Sequence, residues 1–158
     1  MDIEIKPIAN FLENETVLKR VPNELIPLAK KRFPWTGFLS FDEDELIGMC
    51  GFKDEPTEDG TVGIAYFTFP ENEGRGCASG MARELLAIAA ASNEVNCVLA
   101  HTLKEENAST KILKRLSFDF KGEVIDPEDG SVWRWSKTYR GRFLRPSVHK
   151  PKRQSCTV

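Results

Sequence analysis

Apolar positions along the chain alternate between two periods. From Met81 onward the larger apolar residues recur as Met81, Leu85, Ile88 and Ala89, the spacing of a helix with one buried face, so a helix is expected from about Gly76 or Cys77. Upstream, "GTVGIAYFTF" (Gly60 to Phe69) is rich in β-branched and aromatic residues and apolar on both alternating faces. It reads as a buried strand that stops at Pro70. Between the two lies "ENEGRGCASG", so the local order is strand, glycine-rich turn, helix.

The same reading extends over the rest of the chain. "DIEIKPI" is expected to be a first strand, "NFLENETVLKRV" and "PNELIPLAKKRF" two helices, and "TGFLSFD" and "ELIGMCGF" two strands joined by the acidic turn "DEDE". "KDEPTEDG" is a loop and "NCVLAHT" a further strand. "ENASTKILKRLSF" carries Ala108, Ile112 and Leu116 at helical spacing with Asn107 as an N-cap. "FDFKGEVIDPEDGSVWRWSK" is two strands around "DPEDG", with Trp133 and Trp135 on one face and packed against a helix. The expected fold class is α/β (α+β), with a mostly antiparallel central sheet.

Length and charge refine this picture. A chain of 158 residues with 41% hydrophobic content is enough for one domain, burying roughly 68–70% of its unfolded surface. The net charge of −2 hides an asymmetry: residues 137–158 hold seven Lys or Arg and no acid, leaving 15 basic against 24 acidic side chains, a balance of −9, in residues 1–136. A domain at 1–136 and a basic C-terminal tail at 137–158 are expected, the tail without periodicity of its own. An acidic body keeps a protein in solution and favours cationic partners such as amines; nucleic acid is not expected as a partner. Cys50, Cys77, Cys97 and Cys156 are too scattered for a C-x-x-C motif, and "MDIEIKPIANFLENE" has no apolar signal-peptide core. A reducing, cytoplasmic compartment is therefore expected, with no membrane span.

The glycine turn carries the candidate chemistry. Gly74, Gly76 and Gly80 allow close approach of backbone to a ligand, and the first N–H groups of the following helix lack intrahelical partners, which attracts anions and phosphate above all. "GRGCASG" has one residue too many for the dinucleotide fingerprint, and the Gly-Lys-Ser/Thr of a P-loop is missing.

Residues from about Gly37 to Lys137 resemble the GNAT superfamily of acyl-CoA-dependent N-acyltransferases, in the branch with ribosomal-protein and small-amine acetyltransferases. "EGRGCASGMARELL" resembles its pyrophosphate motif, Arg/Gln-x-x-Gly-x-Gly/Ala, "EENASTKILKRLSF" its later asparagine–serine motif, and "GTVGIAYFTFP" the strand before the turn. The resemblance implies acetyl-CoA as acyl donor, a primary amine as acceptor, no metal, a sheet with helices on both faces, and room for a homodimer. By resemblance, Gly74, Arg75, Gly76, Cys77, Ala78 and Ser79 hold the pyrophosphate, the strand at Phe67, Thr68 and Phe69 holds the pantetheine arm, and Asn107 and Ser109 contact the same arm.

The sequence departs from the family at the proton-transfer positions. Gly63 stands where relatives carry a candidate glutamate base, the stretch "KILKRLSF" lacks the tyrosine acid, and Ser117 replaces the glycine before Phe118. His101, at the end of "NCVLAHT", is the candidate substitute base, with a hydrogen-bonded strand-end role as the alternative. Tyr66 and Trp35 are read as packing residues. Cys77 at a helix start is a nucleophile candidate against a small buried side chain. Two functions follow: an N-acetyltransferase, or a weakly active acyl-CoA-binding module of the same fold.

Overall fold

The computed structural model describes residues 2–139. Seven strands are hydrogen-bonded in the order β1-β2-β3-β4-β5-β7-β6. They are β1 (Ile3–Pro7), β2 (Gly37–Asp42), β3 (Glu45–Phe52), β4 (Thr61–Thr68), β5 (Cys97–Thr102), β6 (Asp119–Asp126) and β7 (Gly130–Thr138), with helices α1 (Glu15–Leu18), α2 (Cys77–Ala91) and α3 (Ala108–Arg115). This is the mixed α/β architecture that the alternating periods implied. The described residues form two compact units, one of residues 2–55 and 64–88 and one of residues 56–63 and 89–139.

In the first unit, β1, β2, β3 and the later part of β4 form an antiparallel meander, with a bulge between Ser40 and Phe41. Gly48 is required there because a Cβ would lie 2.3 Å from the Phe67 carbonyl oxygen of β4. Ile8, Val21, Leu39, Phe41, Met49 and Phe69 form one buried cluster, with Phe11, Val17, Leu25 and Ile26 packed against it. Each such side chain contributes about 1.5–3 kcal/mol when fully buried. Trp35 is completely buried, its ring edge-on to Phe52 at 4.9 Å, so the packing reading holds.

The two expected N-terminal helices are shorter and tighter than their patterns suggested. Ile8–Phe11 and Asn23–Lys30 are 3₁₀ helices and only Glu15–Leu18 is α-helical. Pro27 lies inside the second 3₁₀ segment. Its ring removes a donor and clashes with the carbonyl four residues back in an α-helix, so the chain takes i to i+3 bonds instead, as from Leu25 N–H to Pro22 O at 2.9 Å. β4 also differs: it buries Val62 and Ile64 but leaves Ala65 and Phe67 exposed, so one apolar face is uncovered.

In the second unit β7 pairs antiparallel with both β5 and β6. Trp133 and Trp135 pack on Phe120 of β6, at 5.2 and 5.1 Å between ring centroids. The buried Trp135 indole N–H donates to Thr102 Oγ1 at 3.0 Å, which removes the cost of an unpaired donor. α3 buries Thr110 and Leu113, while Ala108 of the expected stripe is exposed. The expected tail boundary at 136/137 falls inside β7: Lys137 pairs with Val98, and its ammonium donates to Leu116 O at the end of α3 (2.9 Å). Residues 140–158 of that tail lie outside the described residues, among which no helix is long and apolar enough to cross a membrane.

Candidate functional site

The glycine turn belongs to the first unit. β4 ends at Thr68, Pro70–Asn72 makes one 3₁₀ turn, and α2 starts at Cys77. Gly74 and Gly76 have φ of +78° and +82°, with nothing within 4 Å of where a Cβ would sit. Other residues would cost about 1–2 kcal/mol each in that conformation, so the glycines shape the turn and leave open space beside it. Gly80 has a different reason: a Cβ there would lie 2.4 Å from Ile3 of β1, so it serves helix–strand packing and not ligand approach. The N–H of Gly80 makes the first helical bond, to Gly76 O at 3.1 Å, and helix geometry leaves the N–H groups just ahead of it without helical acceptors.

Three buried oxygens surround this segment in sequence: Thr68 Oγ1, Asn72 Oδ1 and Ser79 Oγ, none with a hydrogen-bond partner among the described residues. Ser79 and Asn72 are only 7% and 2% exposed. A buried polar group left unpaired costs about 1–3 kcal/mol, so the segment is built to receive a polar ligand or water. Ser79 and Thr68 are among the residues expected at the pyrophosphate and pantetheine positions.

Other expected contacts are changed by their partners. Arg75 Nη2 donates to Asp42 Oδ2 at 3.0 Å, and Nη1 lies 3.5 Å from Glu45 Oε1, so its charge is matched within the protein. Phe69 is buried; its N–H donates to Ile47 O and its carbonyl accepts from Asn72 N–H, so both of its backbone groups already have partners within the protein. The Arg20 guanidinium lies 4.0 Å from the Phe69 ring centroid and also bonds Glu71. Phe67 is 52% exposed on the uncovered face of β4 and can line a ligand. Cys77 is buried, with its thiol donating to Asn72 O at 3.6 Å, and burial pushes its pKa up, the opposite of an activated thiol. Ala78 sits beside it in the first turn of α2.

In the second unit, Asn107 caps α3: Oδ1 accepts from Thr110 N–H at 3.0 Å, and Thr110 Oγ1 accepts from Asn107 N–H at 2.9 Å. This capping box satisfies two otherwise orphaned donors. Ser109 is half-buried in the first turn behind it. His101 is not free: Nε2 accepts from Arg134 Nε at 3.2 Å, and Nδ1 faces Asp129 Oδ2 at 3.3 Å and Asp126 Oδ2 at 3.6 Å. His101, Asp126 and Asp129 have the spacing of a metal-ligand trio. With Nε2 an acceptor, however, the proton of the neutral ring sits on Nδ1 and points at the carboxylates, so the trio is a hydrogen-bonded cluster. His101 is therefore placed as the alternative reading held it, at a bonded strand end, and the base role is not carried forward.

Asp42, Glu45 and Asn72 are residues the sequence reading missed, since nothing local in "DEDE" or "PENEG" signals that they meet.

Residues 12–119 match the family of the Acetyltransferase (GNAT) domain. The chain belongs to the GNAT family. Within it, the chain is 33% identical over 87 residues to the uncharacterized N-acetyltransferase p20 of Bacillus licheniformis, covering 55% of this chain and 49% of that one. It thus spans about half the length of that curated relative. Among solved GNAT structures, the fold matches RimL, a ribosomal L7/L12 alpha-N-protein acetyltransferase in complex with coenzyme A, with TM-score 0.59 and 18% identity over 65% of this chain and 61% of that one. Aminoglycoside acetyltransferase AAC(6')-Ib in complex with coenzyme A matches with TM-score 0.61 and 14% identity over 87% and 95%. The spermidine/spermine N-acetyltransferase SpeG from Vibrio cholerae matches with TM-score 0.56 and 16% identity over 65% and 63%. These likenesses establish the GNAT fold; what each neighbour acetylates is its own property.

Proposed function

We propose that the chain transfers an acetyl group from acetyl-CoA to a primary amine by direct attack of the amine on the thioester carbonyl. The observation that carries this reading is the glycine turn at α2, where Gly74 and Gly76 hold the left-handed conformation and the buried Ser79 hydroxyl lacks a partner. Family membership and the coenzyme A complexes of RimL and AAC(6')-Ib support the donor. The backbone around Gly74, Gly76, Ala78 and Ser79 would hold the pyrophosphate, and β4 at Phe67 and Thr68 the pantetheine arm.

In the reaction a C–N bond forms and the C–S bond breaks; the ammonium form of the amine gives up one proton before attack and a second after it, and the departing CoA thiolate takes one up and leaves as free thiol. An amine with a lysine-like pKa of about 10.4 is neutral to about one part in a thousand near pH 7, so its proton must be removed before it can attack. Water is the proposed carrier: His101 has both ring nitrogens engaged, Gly63 has no side chain, and Cys77 is buried. A backbone N–H of Ala65 to Thr68 is the proposed oxyanion donor.

Those same facts favour a second reading, an acyl-CoA-binding module with weak catalysis. Free-thiol release from acetyl-CoA with a panel of amines separates the two: amine-dependent release supports transfer, and CoA binding without it across the panel supports the module. Gly63→Glu tests the missing base directly, since a side-chain base contributes about 10²–10⁴-fold where it can act.

A further inference from the structure

Three polar contacts tie the end of the β2–β3 hairpin to the glycine turn. Glu45 Oε1 accepts from Asn72 Nδ2 at 2.9 Å and lies 3.5 Å from Arg75 Nη1, while Asp42 Oδ2 accepts from Arg75 Nη2 at 3.0 Å. Asn72 is the hub of this arrangement. It is 2% exposed, its N–H donates to Phe69 O at the end of β4, and its carbonyl accepts from the Cys77 thiol at the start of α2. Fixing Asn72 therefore fixes the segment that joins β4 to α2, and its side-chain amide is held by Glu45.

Two acidic groups beside an anion site are electrostatically unfavourable unless something offsets them. Arg75 supplies the offset, and in doing so ties the middle of the turn to the hairpin. We propose that Glu45, assisted by Asp42, is a positioning residue for the pyrophosphate-binding turn, acting through Asn72 and Arg75 without touching the cofactor. Arg75 is then a tie between turn and hairpin, not a phosphate ligand. The inference rests on the reading of the glycine turn as the CoA pyrophosphate site.

The test is equilibrium binding of CoA to the full chain by calorimetry, with acetyl-CoA kinetics and a thermal melt for each variant. Glu45→Ala removes the acceptor of a part-buried, charge-assisted hydrogen bond and is expected to weaken CoA severalfold, raising KM for acetyl-CoA with kcat at saturation unchanged. Glu45→Gln keeps an oxygen for Asn72 and should recover most of this, remaining about two- to threefold weaker than wild type. Asp42→Asn, at a more exposed pair, should also weaken CoA about twofold.

If Arg75 instead contacts phosphate directly, removing its acidic partners frees it, and Asp42→Asn and Glu45→Gln bind CoA more tightly; that result overturns the proposal. Unchanged CoA affinity in Glu45→Ala with an intact melt also overturns it. Should Glu45→Ala fail to fold, Glu45→Gln and Asp42→Asn decide alone, with unchanged or tighter binding counting against. Loss of the inference while wild type binds CoA leaves the pyrophosphate reading standing, whereas a wild type that binds no CoA removes both.

Discussion

Arg134 and His101 are direct cross-strand partners on β7 and β5, and the arginine Nε donates to the histidine Nε2 at 3.2 Å. The arginine thus sets the tautomer, and the Nδ1–H that results meets Asp129 and Asp126 of the β6–β7 turn. Asp126 in turn accepts from the N–H groups of Glu128 and Asp129, so the histidine joins β5 to a turn that its own side chain organises.

His101→Gln should leave acetyl transfer and stability close to wild type, because a glutamine amide offers one acceptor for Arg134 and one donor for the carboxylates. His101→Ala should lower stability by about 1 kcal/mol, since it leaves a half-buried cluster, open to solvent at Asp129, short of one donor and one acceptor. Thermal melts and amine-dependent thiol release check both. A fall of about 10²–10⁴-fold in kcat for His101→Gln at unchanged melting temperature would restore the histidine as a base.

Ser117 is held at φ +68° immediately after α3, where its N–H bonds Lys114 O and the next N–H, of Phe118, bonds Leu113 O. This is the Schellman pattern, closed by Leu113 and Phe118, both buried. Glycine favours that position because it has no Cβ to strain. Ser117→Gly should therefore raise stability by about 0.5–1 kcal/mol after the larger chain entropy of glycine is counted, or about 1–4 °C in Tm for a domain of this size. An unchanged or lower Tm would show that the serine side chain compensates for its backbone.

The fold and the site were legible in the sequence to different depths, for a physical reason. Local patterns placed the strands and α2, because burial periodicity and glycine chemistry act over a few residues. Asn107 could be read as a cap from its position alone, and Ser117 could be marked as standing in a glycine's place. What failed depended on partners distant in sequence. Nothing near Arg75 announces Asp42, 33 positions earlier, and nothing near His101 announces Arg134. The N-terminal helices differ for another reason: Pro27 is visible in the sequence, but the apolar pattern around it is equally compatible with an α-helix and a 3₁₀ helix.

Cys77 is expected to be chemically quiet. Its thiol is buried and bonded to Asn72 O, and burial raises its pKa above the ordinary thiol range. Cys50 is quieter still, its thiol pushed up to about 12 by burial. Alkylation of the folded protein at pH 7 should be slow at both relative to an unfolded control, and Cys77→Ala should retain amine-dependent turnover, with loss only from packing. Trapping of an acetyl group on Cys77 by mass spectrometry, or loss of turnover in a well-folded Cys77→Ala, would establish the two-step route instead.

The start of α3 carries a pH dependence whose sign is fixed by its geometry. Lys114 donates to both carboxylate oxygens of Glu106, at 3.1 and 2.9 Å, and Thr110 Oγ1 donates to Oε2. The Lys114 hydrogen bond, the largest influence, holds the Glu106 carboxyl below the usual glutamate range despite the opposing effect of burial. A carboxyl with a lowered folded-state pKa releases its proton more readily in the folded than in the unfolded chain. Its stabilisation is therefore complete above the unfolded value, about 4.3, and lost as pH falls through the lower folded value. Both side chains of the pair are more than half exposed, so the effect is small and screened by salt. Glu106→Gln should melt slightly below wild type at pH 7 in low salt, and the gap should close below about pH 4 or in about 1 M salt. A gap that persists at low pH would assign the role of Glu106 to its uncharged contact with Thr110 instead of to the ion pair.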